Sequence, residues 1–162
     1  MKLFYLDASA WVKRYYRETG TAWVQELFAQ NPIVACSSLG LIEVMATLAR
    51  KQKAGELDPL LFAQKAEELE EDWRQFIQIQ LTAETADLAR ELARRLALPG
   101  ADAVHLASAL ILARRLAVDE DQLVVITSDH ELKEAAQRSG LVVIDPDEEE
   151  RPAPQGEKSG LG

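Results

Sequence analysis

A single cysteine in 162 residues, Cys36 within IVAC, excludes a disulfide framework inside the chain, and its apolar setting makes the thiol a packing residue in a reducing compartment. Apolar residues make up 48% of the sequence, yet no segment approaches the roughly 18 uncharged apolar residues of a membrane span. The N-terminal run Leu3-Phe4-Tyr5-Leu6 is too short for a secretory signal and no cleavage site follows it, so a soluble cytoplasmic protein is expected. Two histidines and one cysteine form no zinc-type cluster, no glycine-rich phosphate loop is present, and no Ser-His-Asp order stands out. What remains in abundance is acid.

The formal charge of −9 argues at first against a nucleic-acid partner. Its distribution changes that. From Asp145 to Gly162 six acids face two bases, which gives those 18 residues −4 and leaves −5 on the preceding 144. If several of the remaining acids form one metal site, the rest of the body is close to neutral. The segment DPDEEERPAPQGEKSGLG is nearly free of apolar residues and rich in proline and glutamate, and it is expected to be a disordered tail over 146–162. Residues 1–145 then form one domain, long enough for a core of its own.

Apolar runs at Leu3–Leu6, Ile33–Cys36, Leu123–Ile126 and Leu141–Ile144 read as short buried strands, and the alternation Ile77-Gln78-Ile79-Gln80-Leu81 as another. Between them lie helical segments with recognisable starts and stops: Ala8 to about Arg17, a helix capped by Thr21, Ser38 to Lys53 before Gly55, a helix opened by Asp58-Pro59, Thr82 to Leu98 before Pro99-Gly100, Ala101–Val118 and Asp129–Ser139. Strands alternating with helices predict an α/β/α sandwich around a mainly parallel, Rossmann-like sheet.

Four acids sit where such a fold makes them costly. Asp7 ends the first strand, and Asp129 follows the strand Leu123–Ile126; ligands of open parallel sheets bind off such carboxyl ends. Glu43 is the only charge between Asn31 and Arg50, with Leu39, Gly40, Ala46 and Thr47 as its helical neighbours. A buried, unpaired charge there costs on the order of several kcal/mol. Asp102 opens the apolar helix of PGADAVHLASAL. Each has a local alternative: Asp7 and Asp129 as helix caps, Asp102 as a complement to a helix N-terminus, and Glu43 at an exposed helix edge. Taken together, gathered carboxylates repel and stay ionised when a cation sits among them. Hard oxygen ligands favour Mg²⁺ or Mn²⁺, and one or two such ions cleave phosphodiesters by activating a water and steadying the leaving oxygen.

YLDASAWVKRY, the helical Glu43, PGADAVHLASAL and ITSDHEL, in that order from Met1 to about Asp145, resemble the four acidic motifs of PIN-domain ribonucleases, and most closely VapC-type toxins of toxin–antitoxin modules. The resemblance implies a Mg²⁺- or Mn²⁺-dependent endoribonuclease. Its acidic site would be Asp7, Glu43, Asp102 and Asp129, with Asp7 and Asp102 the firmest metal ligands. Ser9, Thr127 and Ser128 would orient carboxylates or water. It also implies an RNA substrate, an antitoxin that wraps the toxin, and a homodimer. The helix 38–53 and the helix from Asp58, with Leu61, Phe62, Trp73 and Phe76, offer groove walls for the antitoxin, or simply core.

Other residues carry two readings each. His105 lies three after Asp102, on the same helix face, and is either a packed histidine or a contact of the site. His130 reads as an exposed helix start. Lys13, Arg14, Arg17, Arg50, Lys51 and Lys53 either hold RNA phosphates or solvate helix faces. Trp11, Tyr15 and Tyr16 either stack bases or pack, with Trp11 in the core. An aspartyl-phosphate phosphatase wants a second acid two residues after the first, where this chain has Ser9, and a receiver domain wants paired acids where Asp7-Ala8 stands. The remaining alternative is a PIN-like module that binds RNA or protein without cleaving.

Overall fold

A computed structural model describes residues 1–117 and 121–150. Five strands, β1 (Lys2–Leu6), β2 (Ile33–Ser37), β3 (Ile77–Ile79), β4 (Gln122–Ile126) and β5 (Val142–Ile144), form one sheet in the order β3-β2-β1-β4-β5. Every pairing is parallel. The helices are α1 (Ala8–Trp11), α2 (Thr21–Ala29), α3 (Ser38–Lys53), α4 (Pro59–Gln75), α5 (Ala83–Leu96), α6 (Gly100–Leu116), α7 (His130–Arg138) and α8 (Pro146–Glu149). None of them is long and apolar enough to cross a membrane.

The apolar runs of the central strands are continuous because both sheet faces are covered. Leu6, Val34, Cys36, Val124 and Ile126 pack with Trp11, Val44, Leu48 and Leu69 from α1, α3 and α4. The alternate positions Leu3, Tyr5, Ala35 and Val125 meet Ala109 and Leu112 of α6, and α5 and α7 close over α6. The result is the expected three-layer sandwich. Trp73 and Phe76 stack on buried Trp11, so these two expected groove residues belong to the core, while Leu60, Leu61 and Ile42 are exposed on α3 and α4.

Three local expectations are corrected. The first helix does not run to Arg17: α1 tightens into a single 3-10 turn, Val12–Arg14. Arg14 and Tyr15 both reach Asp72 of α4, a convergence that adjacent positions of a continuing α-helix, about 100° apart, would oppose. Thr21 does not cap α2. Gly20 takes the cap position at φ +91°, and the Glu150 carboxylate accepts hydrogen bonds from the Gly20 and Trp23 amides at 2.8 Å each. The expected domain boundary at Asp145 therefore falls inside a folded segment that continues through α8 to Glu150; residues 151–162 lie outside the described residues.

Those hydrogen bonds hold the Glu150 carboxyl below the usual glutamate range. Glu150→Ala is expected to cost about 0.5–1 kcal/mol in urea unfolding at pH 7, the usual worth of a helix cap. A carboxyl whose pKa is lower in the folded state stabilises above its unfolded pKa and loses that contribution as pH falls, so the difference between wild type and variant should vanish in acid.

Candidate active site

β1 and β4 are neighbours from which the chain departs in opposite directions across the sheet, and the crevice beyond their C-terminal ends is the switch point where such folds bind ligands. Asp7 sits there, 3% exposed, at the N-cap of α1, and its Oδ1 accepts from the Ala10 amide at 3.1 Å. The capping reading and the site reading describe the same carboxylate. Ser9 Oγ donates towards both oxygens at 2.8 and 2.9 Å, and Thr127 Oγ1 donates to Oδ2 at 2.8 Å. Burial pushes the Asp7 carboxyl up, against the field of His105 and these hydrogen bonds.

The loop after β4 is tied to the same point. The Ser128 amide donates to Ser9 Oγ at 3.0 Å, and the Asp129 amide to Thr127 Oγ1 at 3.1 Å. Asp129 caps α7 through the Leu132 amide. Ser128 Oγ donates to buried Asp145, which Lys133 also contacts, so the segment entering α8 braces the loop from behind. The hydroxyls of Ser9 and Thr127 thus link the Asp7 carboxylate to the backbone amides of Ser128 and Asp129, while the Ser128 hydroxyl turns away to Asp145.

Asp102, half-buried in the first turn of α6, has its carboxyl pushed up to about 6, first by burial and then by the fields of Asp129 and Asp7. Glu131, in the first turn of α7, adds to that field and carries no signal in the sequence beyond its charge. Glu43, on the second turn of α3, meets His105 of α6: its Oε1 lies 2.6 Å from Nε2, while Nδ1 lies 2.8 Å from the Tyr5 hydroxyl. His105 is therefore packed and satisfied, and it also touches a candidate site residue, so both of its readings hold. A cleft of about 490 Å³ opens beside the site, lined among others by Ser9, Glu43, Thr47 and Arg50.

The basic residues are less available than expected. Lys13 is buried between Glu18 and Asp147 at 2.9 and 3.0 Å, Arg14 is paired with Asp72, and Lys51 with Glu56. Arg17, Arg50 and Lys53 are exposed, Trp11 and Tyr15 are buried, and His130 is the exposed first residue of α7.

Among the described residues no group of three or more His, Cys, Asp or Glu side chains gathers closely enough to hold a metal. The mutual repulsion felt at Asp102 nevertheless marks a place where a cation lowers the energy. An all-oxygen set of this kind fits Mg²⁺, which keeps several waters and takes one or two carboxylates rather than a full protein cage.

α3 approaches the sheet here only because position 40 has no side chain. A Cβ on Gly40 would lie 2.3 Å from Cys36 Sγ and 3.3 Å from His105 Cε1. Gly40→Ala should therefore cost about 1–3 kcal/mol in chemical denaturation, the usual penalty for overpacking, and Cys36→Ala in the same chain should recover part of it.

A family model described as PIN domain matches residues 4–138. Two curated Mycobacterium tuberculosis proteins, Ribonuclease VapC45 and Ribonuclease VapC49, are each 38% identical over 143 residues, covering 88% of this chain and 95% of the relative. Among solved structures, a toxin–antitoxin complex from Klebsiella pneumoniae contains a chain with TM-score 0.56 and 22% identity, covering 90% of this chain and 98% of that one. The last likeness is one of fold.

Proposed function

The chain belongs to the PIN domain family, and from that premise we propose that it is a divalent-metal-dependent endoribonuclease, the toxin of a toxin–antitoxin pair. The observation that carries the proposal is the buried Asp7 carboxylate at the end of β1 beside β4, fixed by Ser9 and Thr127 and near enough to Asp102 to act on it. The names of the relatives support RNA as substrate.

Asp7 and Asp102 would hold Mg²⁺ or Mn²⁺, with the charges of Asp129 and Glu43 beside them, and the ion when bound would supply charge neutralisation at the scissile phosphate and a water acidified for attack. The chain's own part is positional. Ser9 and Thr127 donate to both oxygens of Asp7, which fixes the carboxylate plane and favours its charged form despite burial. The amides of Ser128 and Asp129 close the same network and fix the start of α7. Arg50, exposed on the rim of the adjoining cleft, is placed to meet an RNA phosphate.

An antitoxin and a second copy of the chain are the expected protein partners, and the cytoplasm the expected compartment. The exposed apolar residues Ile42, Leu60 and Leu61 give an antitoxin segment a surface to cover. The test is to map new RNA ends in a total cellular RNA pool treated with the purified protein, with Mg²⁺ or Mn²⁺ and with chelator. Discrete ends that require the metal are expected. No new ends under any condition, from protein free of bound inhibitor, would favour a module that binds RNA or protein without cleaving.

A further inference from the structure

We propose that His105 is a positioning residue for the acidic site, holding Glu43 in place from inside the protein and held in turn by Tyr5. The inference rests on the reading of the acids as a cation site. Its basis is a buried line of three side chains from β1 through α6 to α3. Tyr5 is fully buried and the His105 side chain is 2% exposed, whereas that of Glu43 is 32% exposed. The line thus begins in the core and ends at the cleft.

Its polarity follows from the carboxylate. Ionised Glu43 only accepts, so His105 Nε2 carries a proton and donates to Oε1 at 2.6 Å. On the other side of the ring Nδ1 shares a hydrogen bond with the Tyr5 hydroxyl at 2.8 Å, and that hydroxyl is itself held by the Ser37 amide at 3.3 Å. Among the described residues His105 is the only hydrogen-bond partner of the Glu43 carboxylate; Thr47 bonds the Glu43 backbone carbonyl instead. One oxygen is therefore fixed by the ring, and the other is left to the cleft that Glu43 lines with Ser9.

Without that anchor a half-exposed glutamate on a helix surface is free to swing into solvent, and a cation must then bear the cost of ordering it. Partners that orient a ligand in this way are worth about 10–100-fold in metal affinity. Gly40 belongs to the same arrangement, because its missing side chain lets α3 come within reach of the ring.

The experiment is calorimetric titration of Mn²⁺ into the full chain and its variants, each checked for folding by circular dichroism and thermal unfolding. His105→Leu should weaken Mn²⁺ binding about 10–100-fold, and Glu43→Gln by a similar factor. His105→Gln, whose amide can donate from near the position of Nε2, should stay within about threefold of wild type. The double variant His105→Leu, Glu43→Gln should bind no more weakly than Glu43→Gln alone, because the histidine acts through the glutamate.

Unchanged affinity in folded His105→Leu, or losses that multiply in the double variant, would overturn the proposal. If His105→Leu does not fold, Tyr5→Phe decides. An affinity about three- to tenfold weaker supports the line of contacts, and wild-type affinity overturns it. Failure of wild type to bind Mn²⁺ would overturn the cation site itself, whereas Mn²⁺ binding weakened by Glu43→Gln but not by folded His105→Leu or Tyr5→Phe would leave that site standing and remove only the role of His105.

Discussion

Asp7→Asn is expected to reduce RNA cleavage on the order of 10⁴-fold while the protein stays folded and at least as stable as wild type. The carboxylate is 3% exposed, and among the described residues every hydrogen bond it makes is from a donor: Ser9 and Thr127 hydroxyls and the Ala10 amide. An asparagine keeps an oxygen to accept from Ala10, so the cap on α1 survives. Its amide then meets hydroxyls that can rotate and accept, so no buried group is orphaned. Burial pushes the Asp7 carboxyl up, which means that folding is penalised once the pH passes the ordinary carboxylate range. Removing the charge removes that penalty. What the amide cannot supply is negative charge for a cation. The checks are end mapping in the RNA pool and thermal unfolding in chelator. A variant that cleaves normally would remove Asp7 from the chemistry, and one that unfolds would assign it to the fold.

In metal-free protein Asp102→Asn should raise stability at pH 7 by about 1 kcal/mol, with no gain at pH 4. The Asp102 carboxyl is pushed up to about 6 from 3.8, a difference of about two units worth roughly 1.4 kcal/mol each. Because the group is half-exposed, solvent screening reduces that to about 1–2 kcal/mol. An acid whose folded pKa is raised destabilises the fold progressively between its unfolded and folded values and by a constant amount above them. The loss of a negative charge in the first turn of α6 offsets about 0.3–1 kcal/mol of the gain, which is too little to reverse its sign. Urea unfolding at pH 4, 5, 6 and 7 in chelator would show the wild-type curve falling relative to the variant across this window. Saturating Mn²⁺ should then stabilise wild type and leave the variant nearly unmoved, since binding to the folded state alone at 100 times Kd contributes about 2.7 kcal/mol. Parallel curves without metal would mean that neither burial nor the neighbouring acids raise the Asp102 carboxyl.

The alternation of apolar runs with capped helices was enough to anticipate all five strands, the parallel sheet and most helix limits, because these depend on local periodicity and on residues such as Ser37, Asp58 and Thr82, whose side chains cap their own helices. Where the reading missed, the decisive partner was remote in sequence. Glu150 caps a helix that begins at Thr21, and Asp72 draws Arg14 and Tyr15 out of helical course. No window of a dozen residues contains either relation. Lys13 reads in the sequence as a phosphate contact or a solvated helix residue, and it is neither, because α8 brings Asp147 over it.

The candidate site shows the same division. Asp7 and Asp129 were legible from their places after strands, and Asp102 and Glu43 from charge in apolar surroundings. The network that joins the Ser9 and Thr127 hydroxyls to the Ser128 amide required two strands far apart in the chain to become neighbours. His105 could be placed on the Asp102 face from its spacing, but its bond to Glu43 depends on how closely α3 meets α6, and that is decided by Gly40.

If these carboxylates share a divalent cation, anomalous diffraction from crystals soaked in Mn²⁺ will locate it. A peak is expected at ligand distance from the carboxylates of Asp7 and Asp102, absent in crystals of Asp7→Asn. No peak in the crevice between β1 and β4, at Mn²⁺ concentrations that support cleavage, or a peak that persists in Asp7→Asn, would contradict a shared cation.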